Sequence, residues 1–117
     1  MKPGIAWVLD CVDPDTLAPF WAAALGYAVL RRVPPYVVLG HPSAPLPELL
    51  LQRVPEPKQG KNRMHLDLRV REVEPELARL LDLGARRVRG PFDDEGTLTV
   101  VLADPQGNEF CLIRADE

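Results

Sequence analysis

Two similar stretches of sequence decide the fold, namely residues 5–27 (IAWVLDCVDPDTLAPFWAAALGY) and residues 64–85 (MHLDLRVREVEPELARLLDLGA). Each begins with a strand-like run, continues through an acidic residue and a proline, and ends in an apolar helix closed by Leu-Gly. In the first copy, Asp13 suits the N-cap and Pro14 the first helical position, where its missing N–H costs nothing. Gly26 stands where a left-handed cap would end the helix. Helical spacing predicts an inward face of Leu17, Phe20, Trp21, Ala24 and Leu25.

The second copy predicts a helix from about Pro75 to Leu83, with Gly84 as its stop. The strands that follow each helix repeat as well. Their sequences are VVLGHP (37–42) against VVLADP (100–105), and ELLLQR (48–53) against EFCLIR (109–114). The helix is predicted to turn Leu77, Leu80 and Leu81 inward.

The repeat predicts an α+β fold made of two tandem βαβββ modules. The modules span about 1–57 and 62–117 of a single domain covering residues 1–117. A polar, proline-containing linker, residues 54–63, joins them. Two such sheets side by side would enclose a groove.

Composition excludes several classes of function. A chain of 117 residues with 46% apolar and 26% charged residues is an ordinary globular domain. The net charge of -3 gives no electrostatic footprint for nucleic acid. No apolar run approaches the roughly 20 residues that cross a bilayer, and the acidic start resembles no signal peptide. With two cysteines, we expect a reduced, cytoplasmic protein, although a Cys11–Cys111 bridge stays open.

One strand face in the second module is polar. Side chains alternate along a strand, so Met64, Leu66, Leu68 and Val70 should lie under the helix. The opposite set, His65, Asp67 and Arg69, cannot be buried in an apolar core. These side chains face either bulk water or a polar cavity, and the repeat favours the cavity.

Aligning the repeats pairs the positions of this strand with positions in the first module. Ala6 then matches His65, Val8 matches Asp67, and Asp10 matches Arg69. We expect a salt bridge between Asp10 and Arg69 across the groove. In the last strands, Glu48, Leu50 and Gln52 match Glu109, Cys111 and Ile113 and should also face the groove.

These features resemble the glyoxalase/bleomycin-resistance/dioxygenase superfamily, the vicinal oxygen chelate proteins. The resemblance rests on the doubled module, the helix end Phe20-Trp21…Leu25-Gly26-Tyr27, the strand at His65 and the closing DPQGNEFCLI (104–113). Within the superfamily, the chain resembles the small bacterial glyoxalase-like domain proteins. The resemblance implies an open, curved sheet around a cavity, and a homodimer.

Metal-dependent members of this superfamily hold a divalent ion with four side chains from the first and last strands of the modules. The resemblance carries these positions to Ala6, His65, Leu50 (or Gln52 after a small shift) and Cys111. Ala6 cannot coordinate an ion. We therefore expect no metal and no other cofactor; if a metal is present, His65 and Glu109 are its ligands.

The favoured function is metal-independent binding of a small molecule, as in the bleomycin-resistance members. The expected polar lining is His65, Asp67, Arg69, Asp10, Gln52, Glu109 and Cys111, with Val8, Tyr36, Val38 and Leu50 as apolar walls.

An enzyme is the alternative: a lyase, isomerase or dioxygenase with His65 as the metal anchor and Glu109 as the base. A metal-free His65–Glu109 dyad is also conceivable. A third possibility is an interaction domain that dimerises through Trp7, Trp21 and the Pro34-Pro35 turn.

Overall fold

The computed structural model describes residues 6–60, 62 and 65–115. The chain forms two compact units, Met1–Lys58 and Gln59–Glu117. Each unit contains one helix and one open four-stranded sheet. The structure thus confirms the α+β class and the two tandem βαβββ modules.

The first module contains β1 (Ala6–Cys11), α1 (Pro14–Leu25), β2 (Ala28–Val33), β3 (Tyr36–Gly40) and β4 (Glu48–Arg53). Its strand order is β1-β4-β3-β2. Strand β1 runs parallel to β4, and the other neighbours are antiparallel.

The second module repeats this plan with β5 (Asp67–Val70), α2 (Val73–Leu83), β6 (Arg86–Asp94), β7 (Thr97–Ala103) and β8 (Glu109–Arg114). Its order is β5-β8-β7-β6, again with one parallel pair, β5 and β8. The predicted bounds of β4 and β8 are confirmed. Strand β5 begins at Asp67, later than the sequence predicted, so His65 precedes the strand. Met64 lies outside the described residues.

Helix α1 has the predicted caps. The Asp13 carboxylate accepts hydrogen bonds from the Thr16 backbone N (3.3 Å) and the Thr16 hydroxyl (2.6 Å). Gly26 ends the helix at φ 69°, in the left-handed region. Four of the five predicted inward residues are buried, and Leu25 is half-buried. Trp21 is 1% exposed, so it belongs to the core and is unavailable to a dimer interface.

Helix α2 begins at Val73, two residues earlier than predicted. Pro75 therefore lies inside the first turn, where backbone N–H groups have no intrahelical partner, so proline is tolerated there. Leu77 and Leu80 are buried as expected, whereas Leu81 is half-buried. Gly84 provides the left-handed cap.

Each core lies between the helix and one face of the sheet. In β8, Phe110 and Leu112 are at most 1% exposed, and in β4 Leu49 and Leu51 are equally shielded at 2% and 0%. The residues between them alternate to the face that no helix of their own module covers. We call this the open face of each sheet.

The closing turn that carried the resemblance is held by one buried carboxylate. Asp104 is 3% exposed and accepts hydrogen bonds from the Gln106 and Asn108 backbone N atoms, both at 2.9 Å. The Asn108 side-chain amide donates to the same carboxylate at 3.0 Å. The turn delivers the chain into β8 at a fixed register.

Both cysteines are free, so the Cys11–Cys111 bridge left open by the sequence is not formed. Cys11 is buried, and Cys111 is half-buried. Over residues 6–60, 62 and 65–115, neither helix is long and apolar enough to cross a membrane.

Candidate functional site

The candidate site lies on the open face of the second sheet, where β5 runs beside β8. Asp67 of β5 is the direct register partner of Cys111 of β8. Because Phe110 and Leu112 point into the core, the Cys111 side chain points to the open face. Asp67 shares that face with it, in agreement with the alternation read from the sequence.

Three side chains meet here. The His65 Nε2 atom lies 3.1 Å from Asp67 Oδ1, and the Cys111 thiol donates a hydrogen bond to the Asp67 carboxylate. One nitrogen, oxygen or sulfur atom from each residue lies within 4.8 Å of the other two. We call this group the His65–Asp67–Cys111 cluster.

The environment keeps the thiol protonated. Burial raises the pKa of Cys111, and the Asp67 carboxylate raises it further through its charge and hydrogen bond. Asp94 and Glu109 add smaller negative fields in the same direction. Since the thiolate is the nucleophilic form, Cys111 is a poor nucleophile in this state.

The order of the three groups leads to the same conclusion. In cysteine nucleophile systems, the imidazole contacts the thiol and removes its proton, while an acid or amide orients the imidazole. Here it is the Asp67 carboxylate that contacts both the imidazole and the thiol. The cluster is therefore arranged to bind and to share protons, not to generate a thiolate nucleophile.

The other predicted residues of the second module lie around this cluster. Arg69 of β5 is exposed and pairs in register with Ile113. Glu109 begins β8 and is half-buried, and its backbone oxygen accepts a 3.4 Å hydrogen bond from Asn62. The structure gives His65 a contact with Asp67, where the sequence had suggested Glu109.

The predicted residues of the first module form a separate group. Asp10 of β1 and Gln52 of β4 are register partners on the open face of the first sheet. The Asp10–Arg69 salt bridge and the groove between the sheets stay predictions.

Strand β6 contributes residues that the sequence did not reveal. The Arg89 guanidinium lies 4.1 Å from the centre of the Phe92 ring, in a cation–π contact. Asp94, on the same strand, acts on the Cys111 thiol. The β6–β7 pairing shifts register between Arg87 and Arg89 and again between Arg89 and Phe92. Such bulges interrupt the alternation of side chains between the two faces of a strand. Gly90, between the two shifts, is the sequence signal that could have indicated them.

The register also tests the four positions at which the superfamily holds a metal. Val8 pairs with Leu50 just as Asp67 pairs with Cys111, so Leu50, and not Gln52, is the counterpart of Cys111. Ala6 and Leu50 carry no donor atom. The residues present therefore do not fit the four-donor site, because both first-module positions are aliphatic.

The family model for the glyoxalase-like domain matches residues 6–113. The chain belongs to this family. No curated protein sequence matches it.

Solved structures show the same fold. Protein ATC0852 from Agrobacterium tumefaciens has a TM-score of 0.78 at 18% identity, covering 100% of both chains. A glyoxalase/bleomycin resistance protein/dioxygenase family enzyme from Burkholderia phytofirmans PsJN has a TM-score of 0.77 at 15% identity, covering 92% of this chain and 94% of that one. A glyoxalase-related enzyme from Fulvimarina pelagi has a TM-score of 0.76 at 20% identity, covering 98% and 89%. At these identities the likeness is one of fold alone.

Proposed function

We propose that the protein binds a small organic molecule on the open face of the second sheet, and that this binding requires no metal ion. One observation carries the proposal: an imidazole, a carboxylate and a thiol converge on a sheet face that no helix of the module covers. Small-molecule sites combine apolar surface with a few placed polar groups. Val101 and Ile113, the register neighbours of Cys111 and Arg69, supply apolar surface beside the cluster.

Metal independence is supported by the donor set described above. A ligand held by the superfamily's ion needs donors from both modules, and Ala6 and Leu50 offer none. The polar groups of the cluster recognise a ligand directly. Asp67 accepts hydrogen bonds, and Cys111 and His65 can each donate or accept one. A molecule carrying a hydrogen-bond donor, such as a hydroxyl or an amine, suits the central carboxylate best.

The test is a thermal-shift screen of small polar and aromatic compounds against the chain in EDTA, followed by calorimetry of the hits. We expect a hit whose affinity is equal in EDTA and in added divalent metal. Asp67→Asn should weaken it by about tenfold or more, because a hydrogen bond to a charged group contributes about 1.5–3 kcal/mol. Asp82→Asn, which removes a carboxylate from the exposed part of α2, is the matched control and should leave affinity unchanged.

Two results would overturn the proposal. One is a set of hits whose affinities are equal in Asp67→Asn and in the parent chain. The other is a hit that binds only when a divalent ion is present, which would favour the metal-dependent lyase, isomerase or dioxygenase. In that alternative, His65 binds the metal and Glu109 transfers the proton. Catalytic turnover that is lost in Glu109→Gln would support it.

We also propose a cytoplasmic homodimer. The two free cysteines agree with a reducing compartment, where thiols persist. Light scattering of the purified chain tests the dimer, and a monomer would contradict it. Fractionation of the source cells tests the location, and recovery outside the cytoplasm would contradict it.

A further inference from the structure

We infer that the ligand of the second open face is a zwitterion, a small molecule with an amino group at one end and a carboxylate at the other. This inference rests on the proposed function and names the chemical class of its ligand. Asp67 accepts hydrogen bonds from the amino group, and Arg89 of β6 donates hydrogen bonds to the carboxylate. The ligand therefore lies across the sheet, from β5 toward β6.

The strand register places Arg89 on the same face as the cluster. Asp67 pairs with Cys111, and Cys111 pairs with Val101. Val101 pairs in turn with Arg89. Because register partners point to the same side of a sheet, these residues form one row across the open face. The row is acidic at its β5 end, basic at its β6 end and apolar at Val101.

A neighbouring row has the same polarity. Glu109 of β8 pairs with Ala103 of β7, and Ala103 pairs with Arg86 of β6. Over these two rows, the open face carries carboxylates toward β5 and guanidinium groups toward β6. Arg69 and Asp94 lie farther along their strands, beyond both rows. The divided charge therefore belongs to the part of the face that contains the cluster.

The equivalent arginine of the first module is neutralised within the protein. Arg31 of β2 occupies the position that Arg89 occupies in β6, because each pairs with the second valine of the repeated Val-Val-Leu sequence. The Arg31 Nη2 atom lies 3.3 Å from Glu48 Oε1, on β4. Charges that start two strands apart can therefore meet directly when both belong to the chain.

The second module lacks this closure. Among the residues that the structure describes, neither Arg89 nor Arg86 has a carboxylate within ion-pair distance. The exposed Arg89 guanidinium instead lies 4.1 Å from the centre of the Phe92 ring. Stacking on a ring face holds the planar group while its N–H donors remain at the edge. Less side-chain freedom is then lost when an anion binds.

The two ends of the row select the chemistry of the ligand. A guanidinium presents paired donors that match the two oxygens of a carboxylate, and an ionised Asp67 favours an ammonium group. Strands β5 and β6 are three strand spacings apart, roughly 14 Å between backbones. The side chains shorten this gap to the length of an amino acid or a dipeptide, since each residue spans at most about 3.6 Å. The middle of such a ligand contacts Val101.

The test uses amino acids and dipeptides as probes, with the chain in EDTA. Each probe is compared with its C-terminal amide, which lacks the carboxylate, and with its N-acetyl form, which lacks the amine. Saturation-transfer NMR detects binding, and calorimetry measures affinity. We expect the best free probe to bind about tenfold or more tightly than either blocked form, because each charged end makes a charge-assisted hydrogen bond.

The internal repeat provides the matched control. Arg89→Met removes the charge but keeps an unbranched side chain beside Phe92, so the free probe should bind only as well as its amide. The affinity of the amide itself should stay unchanged, which a general disturbance of the fold would not allow. Arg31→Met changes the equivalent position of the first module and should alter no affinity. Circular dichroism of each variant checks folding.

Three results would overturn the inference: no probe binds, the free probes bind no more tightly than their amides, or Arg89→Met keeps the preference for the free acid. Neutral or singly charged hits that depend on Asp67 would remove this ligand class and leave the proposed function standing. Hits that are indifferent to Asp67→Asn, or that require a divalent ion, would remove both.

Discussion

The Asp67 carboxylate contacts both the His65 imidazole and the Cys111 thiol, and after burial it is the main influence on the pKa of the thiol. Its negative charge and its role as acceptor both favour the protonated form of Cys111. Asp67→Asn removes the charge, so the pKa of the thiol should fall and iodoacetamide should label Cys111 several-fold faster at neutral pH. Burial, the larger cause, remains, so labelling should stay slower than that of free cysteine. Labelling is measured by mass spectrometry.

Asp82→Asn is the control for this variant, and an unchanged labelling rate in Asp67→Asn would contradict the role given to the carboxylate. Cys11 offers a reference within the same molecule, because its burial should keep it unlabelled in every variant.

The Asp13 carboxyl that caps helix α1 makes the stability of the fold depend on pH. Hydrogen bonds from Thr16 lower the pKa of the Asp13 carboxyl below its usual value. A carboxyl whose pKa is lower in the folded state stabilises the fold above its unfolded pKa, and this stability is lost as pH falls through the folded pKa. Asp13→Asn keeps an N-cap acceptor but cannot ionise. The variant should melt below the parent chain at neutral pH, and the difference should shrink toward zero in strong acid.

Melting curves followed by circular dichroism across the acid range check this expectation. A difference that stays constant or grows as the pH falls would contradict it. Asp13→Ala, which removes the cap altogether, should melt lowest at neutral pH.

At the scale of the element, strand β6 depends on one glycine. Gly90 has φ 98°, and a Cβ atom there would lie 2.8 Å from the Thr99 carbonyl oxygen and 3.0 Å from the Phe92 ring. Gly90→Ala should therefore lower the free energy of unfolding by roughly 2–4 kcal/mol, through backbone strain and overpacking together. Urea denaturation measures the loss.

Gly96 separates the two causes. It has a similar φ of 90°, but a Cβ atom there would meet nothing within 4 Å. Gly96→Ala should cost only the backbone strain, about 1–2 kcal/mol. Equal losses in the two variants would show that the contact with Thr99 plays no part.

The elements also show what sequence can predict. The caps of α1, most of the inward residues of the helices and the bounds of β8 depend on residues close in the chain, and these predictions are confirmed; Leu25 and Leu81 are only half-buried. The start of α2 was misplaced because a proline fits several positions of a first turn.

The site was predictable only in part, for the same reason. Alternation indicated that His65 and Asp67 share a face, and the repeat placed Cys111 in the last strand. That Asp67 lies directly beside Cys111 depends on β5 pairing in parallel with β8, which joins residues 44 positions apart and leaves no local pattern. Asp94 enters through a bulged strand whose register no periodicity fixes.

At the scale of the whole molecule, two modules of one plan have different open faces. The row Val8–Leu50–Val38 in the first sheet is apolar, while the equivalent row Asp67–Cys111–Val101 in the second is largely polar. The two copies share a backbone but not a chemistry. The core residues, by contrast, are apolar in both.

The fold should consequently be indifferent to chelators. Each module has its own apolar core of fully buried side chains, such as Leu17 and Leu51 in the first and Leu80 and Leu112 in the second. EDTA should leave the far-ultraviolet circular dichroism and the Tm of the chain as purified unchanged. Unfolding by EDTA alone would contradict this expectation, because it would show that an ion is structural.

The bond from the Cys111 amide to the Leu66 carbonyl has a practical consequence. This hydrogen bond protects the Cys111 amide proton from exchange with solvent. Leu66 lies between His65 and Asp67, so the protection depends on the segment that carries two of the cluster's side chains. Deuterium uptake at this one amide therefore becomes a gauge of occupancy. A small molecule that binds the cluster should therefore slow deuterium uptake at this amide.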